Sequence, residues 1–357
     1  QGTAVSVPMG GVDGLETIMR RGGASLRRRM QRTERHLERV TAQAGTPLAS
    51  YANATVAAGG KRLRPLLVML AAESAGGPVG GPVGAAAGRP SNASDGEECL
   101  VRAAVAVELV HSATLVHDDV IDGALLRRGQ PTVAAAAGRR MAVATGDLLF
   151  SRAFAELARN DDHQQLSALS QASSALAEGE LLQREDAYAA HVAVERYLRR
   201  CELKTAALFE AACRLGALTA AKGSGMLADA LGAFARRIGL AFQMFDDVLD
   251  VSGPVERTGK SRGTDLLDGT VTLPFILARE RDPALAAFDL SSLNEAGGLR
   301  KAEELCDRIA ATGALDEARE RALAVVAEAK AALPGILPDG RSTLLALVAD
   351  AVVERYR

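Results

Sequence analysis

The stretch "HSATLVHDDVID", residues 111–122, decides how this chain reads. An apolar run at helical spacing ends in three aspartates, Asp118, Asp119 and Asp122. "LAFQMFDDVLD", residues 240–250, does the same with Asp246, Asp247 and Asp250. In a helix, positions i and i+4 lie one turn apart on one face. Asp118 and Asp122 therefore project together with Asp119 beside them, and Asp246, Asp250 and Asp247 do likewise. Like charges so placed repel by a few tenths of a kcal/mol on an exposed helix, and by far more in a buried cleft. A divalent cation removes the problem. Hard carboxylate oxygens suit Mg²⁺, which commonly joins protein carboxylates to substrate phosphates. One triplet alone also fits a solvated face or a set of helix caps. Two triplets, each behind an apolar helical run, fit two helices facing each other across one cleft.

Outward from these stretches the chain is helical in pattern. Alanine and leucine dominate, and apolar residues recur at helical spacing almost throughout. Residues 15–40 read as a basic amphipathic helix with a break at Gly22-Gly23. Residues 98–122 are apolar on most faces and belong at the centre of the fold. Strand signals are scarce. The expectation is an all-α fold, a single domain over 1–357, with flexible residues at about 1–12 and a flexible Gly/Pro-rich loop at 76–97.

The bulk numbers agree. With 357 residues, 48% of them hydrophobic, there is material for a large core. A net charge of −2 argues against general nucleic-acid binding. Four scattered cysteines, Cys99, Cys201, Cys213 and Cys306, read as reduced core residues. The chain begins "QGTAVSVPMGG", which lacks a basic start followed by an apolar run, and no uninterrupted apolar run approaches the roughly 18 residues of a spanning helix. A cytoplasmic protein is the expectation.

A metal site of this kind calls for an anionic ligand, and cations are at hand. "GGKRLRP", residues 59–65, supplies Lys61, Arg62 and Arg64. "LLRRGQPT", residues 125–132, adds Arg127 and Arg128; Lys204 and Lys260 add two more. Arginine's planar fork suits phosphate, while lysine acts as a point charge. Two acidic and two basic clusters suggest two phosphorylated ligands, one held through metal and one directly.

"GGKRLRP", "HSATLVHDDVIDGALLRRGQPT", "GDLLFSRAF", "ELKTAALF" and "FQMFDDVLDVSG…TGKSRGTDLLDGTVTLP" run in an order that resembles the trans-isoprenyl diphosphate synthases, or polyprenyl synthetases. The resemblance covers roughly residues 50 to 280. It implies an isoprenoid-synthase-type helical bundle around a deep central cavity, usually a homodimer, that condenses isopentenyl diphosphate with an allylic diphosphate. It implies that Asp118, Asp122 and Asp246 hold Mg²⁺, three ions per site, with Asp119, Asp247 and Asp250 in support. Arg127, Lys204 and Lys260 then meet the allylic diphosphate, and Lys61, Arg64, His111 and Arg128 the isopentenyl diphosphate. Thr205 and Gln243 match positions beside the reacting carbons. Two departures stand out: Thr270 or Val271 occupies a position where lysine is common, and Ser261 one where proline is.

The growing chain is expected to run beside the helix of Asp118, with Ala113 and Thr114 as its wall. Neither is aromatic, so a product longer than farnesyl is expected, geranylgeranyl or a longer polyprenyl chain. A long product would bring transient membrane contact. A class I terpene cyclase is an alternative, although it lacks the second diphosphate set. A non-catalytic or partner-dependent subunit is another, although such subunits usually lose aspartates from one motif.

Overall fold

Alanine- and leucine-rich segments with apolar stripes wider than one face can satisfy their backbone only as helices packed on all sides. The computed structural model describes residues 12–42, 47–58, 60–76, 93–127, 129–220, 225–253, 262–338, 340–354 and 356. Its first helices are α1 (Val12–Arg21), α2 (Gly23–Ala42), α3 (Leu48–Ala57), α4 (Leu63–Ser74) and α5 (Ala93–Ile121). A two-stranded antiparallel hairpin follows, β1 (Leu126–Arg127) with β2 (Gln130–Pro131), then α6 (Val133–Ala137), α7 (Arg139–Ala158), α8 (His163–Glu185) and α9 (Val194–Cys201). A π-helical turn, Glu202–Ala206, joins α9 to α10 (Ala207–Thr219), and α11 (Gly225–Ser252) follows. The remainder is α12 (Thr264–Leu267), α13 (Leu273–Arg279), α14 (Pro283–Ala286), α15 (Gly298–Ala311), α16 (Ala314–Ile336) and α17 (Thr343–Glu354).

The chain breaks between α1 and α2 where Gly23 takes a positive φ of 68°, at the expected glycine pair. The axis of the fold is α5, 29 residues and about 43 Å long. It packs on α4, α7 and α10, and its residues from Ala103 to Val110 are buried. By length and hydropathy Asp95–Ile121 could cross a membrane, but here most of it lies inside the bundle. α11 packs against α10 on one side and α16 on the other.

Residues 1–11 and 77–92 lie outside the described residues, so most of the expected flexible segments do too. α5 nevertheless begins at Ala93, inside the segment expected to be a loop. Asp95 sits in its first turn, where a carboxylate favours the helix dipole, and Glu97 is anchored by a fork from Arg29 at 2.6 and 2.9 Å.

Candidate active site

The C-terminal half of α5 and of α11 flank one cavity of about 690 Å³. On α5, His111, Thr114, Leu115 and Asp118 line it, with Asp122 just past the helix end. Across it stand Phe242, Gln243, Asp246 and Asp247 of α11. Lys61 and Arg64, just before and at the start of α4, form a third wall, and Lys204 and Thr205 of the π-turn a fourth. The two acidic stretches and two of the basic ones thus meet, as one-face spacing on separate helices requires.

The π-turn matters locally. The sequence reads as one continuous helix from Val194 to Leu218, but the extra residue of a π-turn rotates Lys204 and Thr205 toward the cavity. Two glycines let its neighbours close in. A Cβ on Gly239 of α11 would stand 2.8 Å from Ala206 Cα, and one on Gly179 of α8 would stand 2.8 Å from the Lys204 nitrogen.

A wall that the motif reading did not name is α8. Glu180, Gln183 and Arg184, spaced i, i+3 and i+4, share one face. Lys204 Nζ reaches Glu180 at 2.5 Å and Gln183 Oε1 at 3.2 Å, and lies 4.0 Å from Asp118. Arg184 pairs with Asp122, and its Nε donates to Glu180 at 3.0 Å. Burial alone would raise the Glu180 carboxyl, but Lys204 and Arg184 outweigh it and hold it below its usual range. The polar triplet in "GELLQRE" was the available signal, though such a triplet equally fits a solvated face.

Asp118 is pushed up to about 6, first by burial and then by Glu180 and Asp122, with Lys204 and Arg127 opposing. Asp247 is pushed up to about 8, mainly by burial and by Asp265, against the hydrogen bonds it accepts. Those bonds come from Tyr197 OH at 2.6 Å and Gln243 Nε2 at 2.8 Å; Thr205 Oγ1 donates to Gln243 Oε1 at 2.7 Å. A continuous polar chain from Tyr197 to Thr205 therefore fixes Thr205 and Gln243 on the wall. Tyr356 OH donates to Asp246.

The other expected residues divide between the cavity wall and the packing behind it. Asp119 is buried, and Arg127, returned by the hairpin, forks onto it at 2.7 and 2.9 Å. Asp250 accepts the Asp265 backbone N–H at 3.2 Å, at the start of α12. Ala113 is fully buried in the bundle, while Thr114 lines the cavity. Arg128, Lys260 and Ser261 lie outside the described residues. Thr270 lines the cavity, and the Val271 carbonyl accepts from the buried Arg200. Arg62 borders the cavity, but at φ 49° its guanidinium is held by Glu34 at 2.6 Å and by buried Glu108 at 2.8 Å. It joins α2 to α5.

Among the described residues, eight acidic side chains and five basic ones line the cavity. A polyanion would meet net negative charge unless cations came with it. The donors facing inward are carboxylates, the oxygen ligands that hard divalent ions prefer. No three of the described His, Cys, Asp or Glu groups gather closely enough to hold an ion alone. An ion here would complete its shell with water and substrate oxygens, as Mg²⁺ usually does. The donor set therefore fits such an ion.

A helical bundle whose cavity is lined by paired aspartates, by Lys61, Arg64 and Lys204, and by the apolar Leu115, Leu176, Leu208 and Phe242 fits a class of enzyme that handles phosphorylated hydrocarbons. The chain belongs to that class as a member of the polyprenyl synthetase family, whose model matches residues 46–304. It is 35% identical over 305 residues to the geranylgeranyl diphosphate synthase of Methanosarcina mazei, covering 84% of this chain and 87% of that one. It is 38% identical over 255 residues to heptaprenyl diphosphate synthase component 2 of Geobacillus stearothermophilus, covering 71% and 74%. The crystal structure of a Caulobacter crescentus polyprenyl synthase, complexed with calcium and isoprenyl diphosphate, superposes with a TM-score of 0.79 at 33% identity and 99% coverage of each chain. The protein is a prenyltransferase.

Proposed function

We propose that the chain is a Mg²⁺-dependent trans-polyprenyl diphosphate synthase that joins isopentenyl diphosphate head-to-tail to an allylic diphosphate. The observation that carries this reading is the opposition of Asp118 and Asp122, at and just past the end of α5, to Asp246 and Asp247 on α11 across one cavity lined also by Lys61, Arg64 and Lys204.

Asp118, Asp122 and Asp246 hold the metal ions, and Asp119, Asp247 and Asp250 keep the two helix ends in place. Bound Mg²⁺ supplies the charge that stabilises a departing diphosphate. Lys204, with Arg127 and Lys260, takes the allylic diphosphate. Lys61, Arg64, His111 and Arg128 take isopentenyl diphosphate. The allylic C–O bond breaks and its electron pair leaves with the diphosphate. The double bond of isopentenyl diphosphate supplies the pair for the new C–C bond. The proton lost from the adjacent carbon goes to the released diphosphate, so no protein base is required. Thr205 and Gln243 face the reacting carbons as neutral dipoles. Leu115, Leu176, Leu208 and Phe242 keep water from the short-lived carbocation.

The product is geranylgeranyl diphosphate or longer, since Thr114 and Leu115 leave no aromatic side chain on this part of the α5 wall. The working unit is a homodimer. The similarity to a synthase component raises a second reading, a subunit active only with a partner. Purified protein incubated with Mg²⁺, labelled isopentenyl diphosphate and dimethylallyl, geranyl, farnesyl or geranylgeranyl diphosphate separates the two. A linear product of defined length supports the synthase. No elongation with any primer favours the partner-dependent subunit.

A further inference from the structure

We propose that the outer face of α2 is a docking surface for an anionic lipid bilayer. Arg28, Arg32, Arg35 and Arg39 follow one another at spacings of four, three and four residues. At 3.6 residues per turn they fall within about 60° of arc and extend over about 16 Å. All four are exposed, and the opposite face of α2 buries Leu26, Thr33, Leu37 and Val40. Arg20, Arg21 and Arg27, also exposed, extend the patch toward α1.

Like charges at these spacings weaken a helix. The helix offers two acids against them, and among the described residues Glu34 is taken by Arg62 and Glu38 makes no ion pair with Arg28, Arg32 or Arg35. Among the described residues Arg39 reaches the His36 ring, at 3.1 Å, and no carboxylate. The chain as a whole is net negative at −2, so this concentration of positive charge belongs to one face. Uncompensated surface charge of one sign fits a partner of the other sign. A row of arginines on a helix face fits a plane of phosphate headgroups, each residue strengthening attachment roughly fivefold.

The position favours a bilayer over another polyanion. Arg29, beside the row, binds Glu97 near the start of α5, whereas the aspartates stand at its far end. Those points on α5 are about 32 Å apart. On the elongation reading, on which this step rests, the hydrocarbon tail grows away from the aspartates. The arginine row therefore begins at the end of α5 toward which an insoluble product grows.

The test is sedimentation of the full chain with vesicles of phosphatidylcholine alone, or with equal parts of phosphatidylglycerol. The wild type should bind only the anionic vesicles and come off as salt is raised. Arg28→Gln/Arg32→Gln/Arg35→Gln, which keeps good helix formers, should bind on the order of a hundredfold more weakly. Its turnover of a soluble allylic diphosphate without vesicles should be unchanged, and its melting temperature should be no lower. Absence of wild-type binding, or equal binding by the variant, overturns the proposal. So does tighter binding to an oligonucleotide than to anionic vesicles, which would make this a nucleic-acid face. Turnover without vesicles is read separately, so loss of the synthase reading and loss of the docking surface give different results.

Discussion

Arg184 on α8 closes on the carboxylate of Asp122, just past the end of α5, so one cavity-facing aspartate is already neutralised by a protein cation. Glu180 holds the same guanidinium at 3.0 Å. A metal ion arriving at Asp122 must displace or share this contact. Partly exposed ion pairs are worth up to about 1 kcal/mol, or roughly fivefold in affinity. Arg184→Leu should therefore bind Mn²⁺ several-fold more tightly than the wild type, read by calorimetry without substrate. Unchanged or weaker binding would remove Arg184 from competition for the site.

The paired aspartates themselves should dominate turnover. Asp118→Ala and Asp246→Ala each remove a carboxylate that faces the cavity. Loss of such a charge at a site of developing diphosphate charge should lower kcat on the order of a hundredfold or more. Circular dichroism should show unchanged helix content. Near-normal rates in both variants would remove the two aspartates from the proposed metal-holding role.

The raised Asp118 carboxyl gives a pH dependence with a definite sign. Burial, Glu180 and Asp122 push it to about 6. Between its ordinary value near 4 and about 6, the folded protein holds a proton that the unfolded chain has released. This group's contribution to stability therefore falls as pH rises through that window, and Mg²⁺ should restore it. Below about pH 6 the proton competes with the metal. The Mg²⁺ concentration for half-maximal rate should thus rise as pH falls from 7.5 to 5.5. An Mg²⁺ requirement that is flat across that range would mean Asp118 stays ionised.

The two acidic helices were legible because both signals are local: apolar period and carboxylates at i, i+4 lie within one helix. The turn that carries Lys204 was not, although the residue itself was expected in the site, because a π-turn needs only one extra residue and leaves the apolar pattern intact. Arg62 reads like its neighbours Lys61 and Arg64, yet a left-handed φ at the entry to α4 aims it at Glu34 and Glu108. Tyr197 and Asp247 meet across 50 residues of chain, a pairing made by helix packing alone. Glu180 and Arg184 become visible as site residues only once α8 is set beside α5.

The same geometry divides two adjacent residues that the sequence treats alike. Thr114 precedes Asp118 by four positions and stands about 40° from it around α5, on the cavity side; Ala113 stands about 140° away and is fully buried. Thr114→Phe adds bulk to the wall along which the hydrocarbon is proposed to grow, so products should shorten while the melting temperature holds. Ala113→Phe forces a ring into packed core, which typically costs about 1–3 kcal/mol. It should lower the melting temperature, with a smaller change in product length. Sizing the labelled products of both variants beside their melting curves reads both effects. Shortening by Ala113→Phe alone, without loss of stability, would place the hydrocarbon path on the other side of α5.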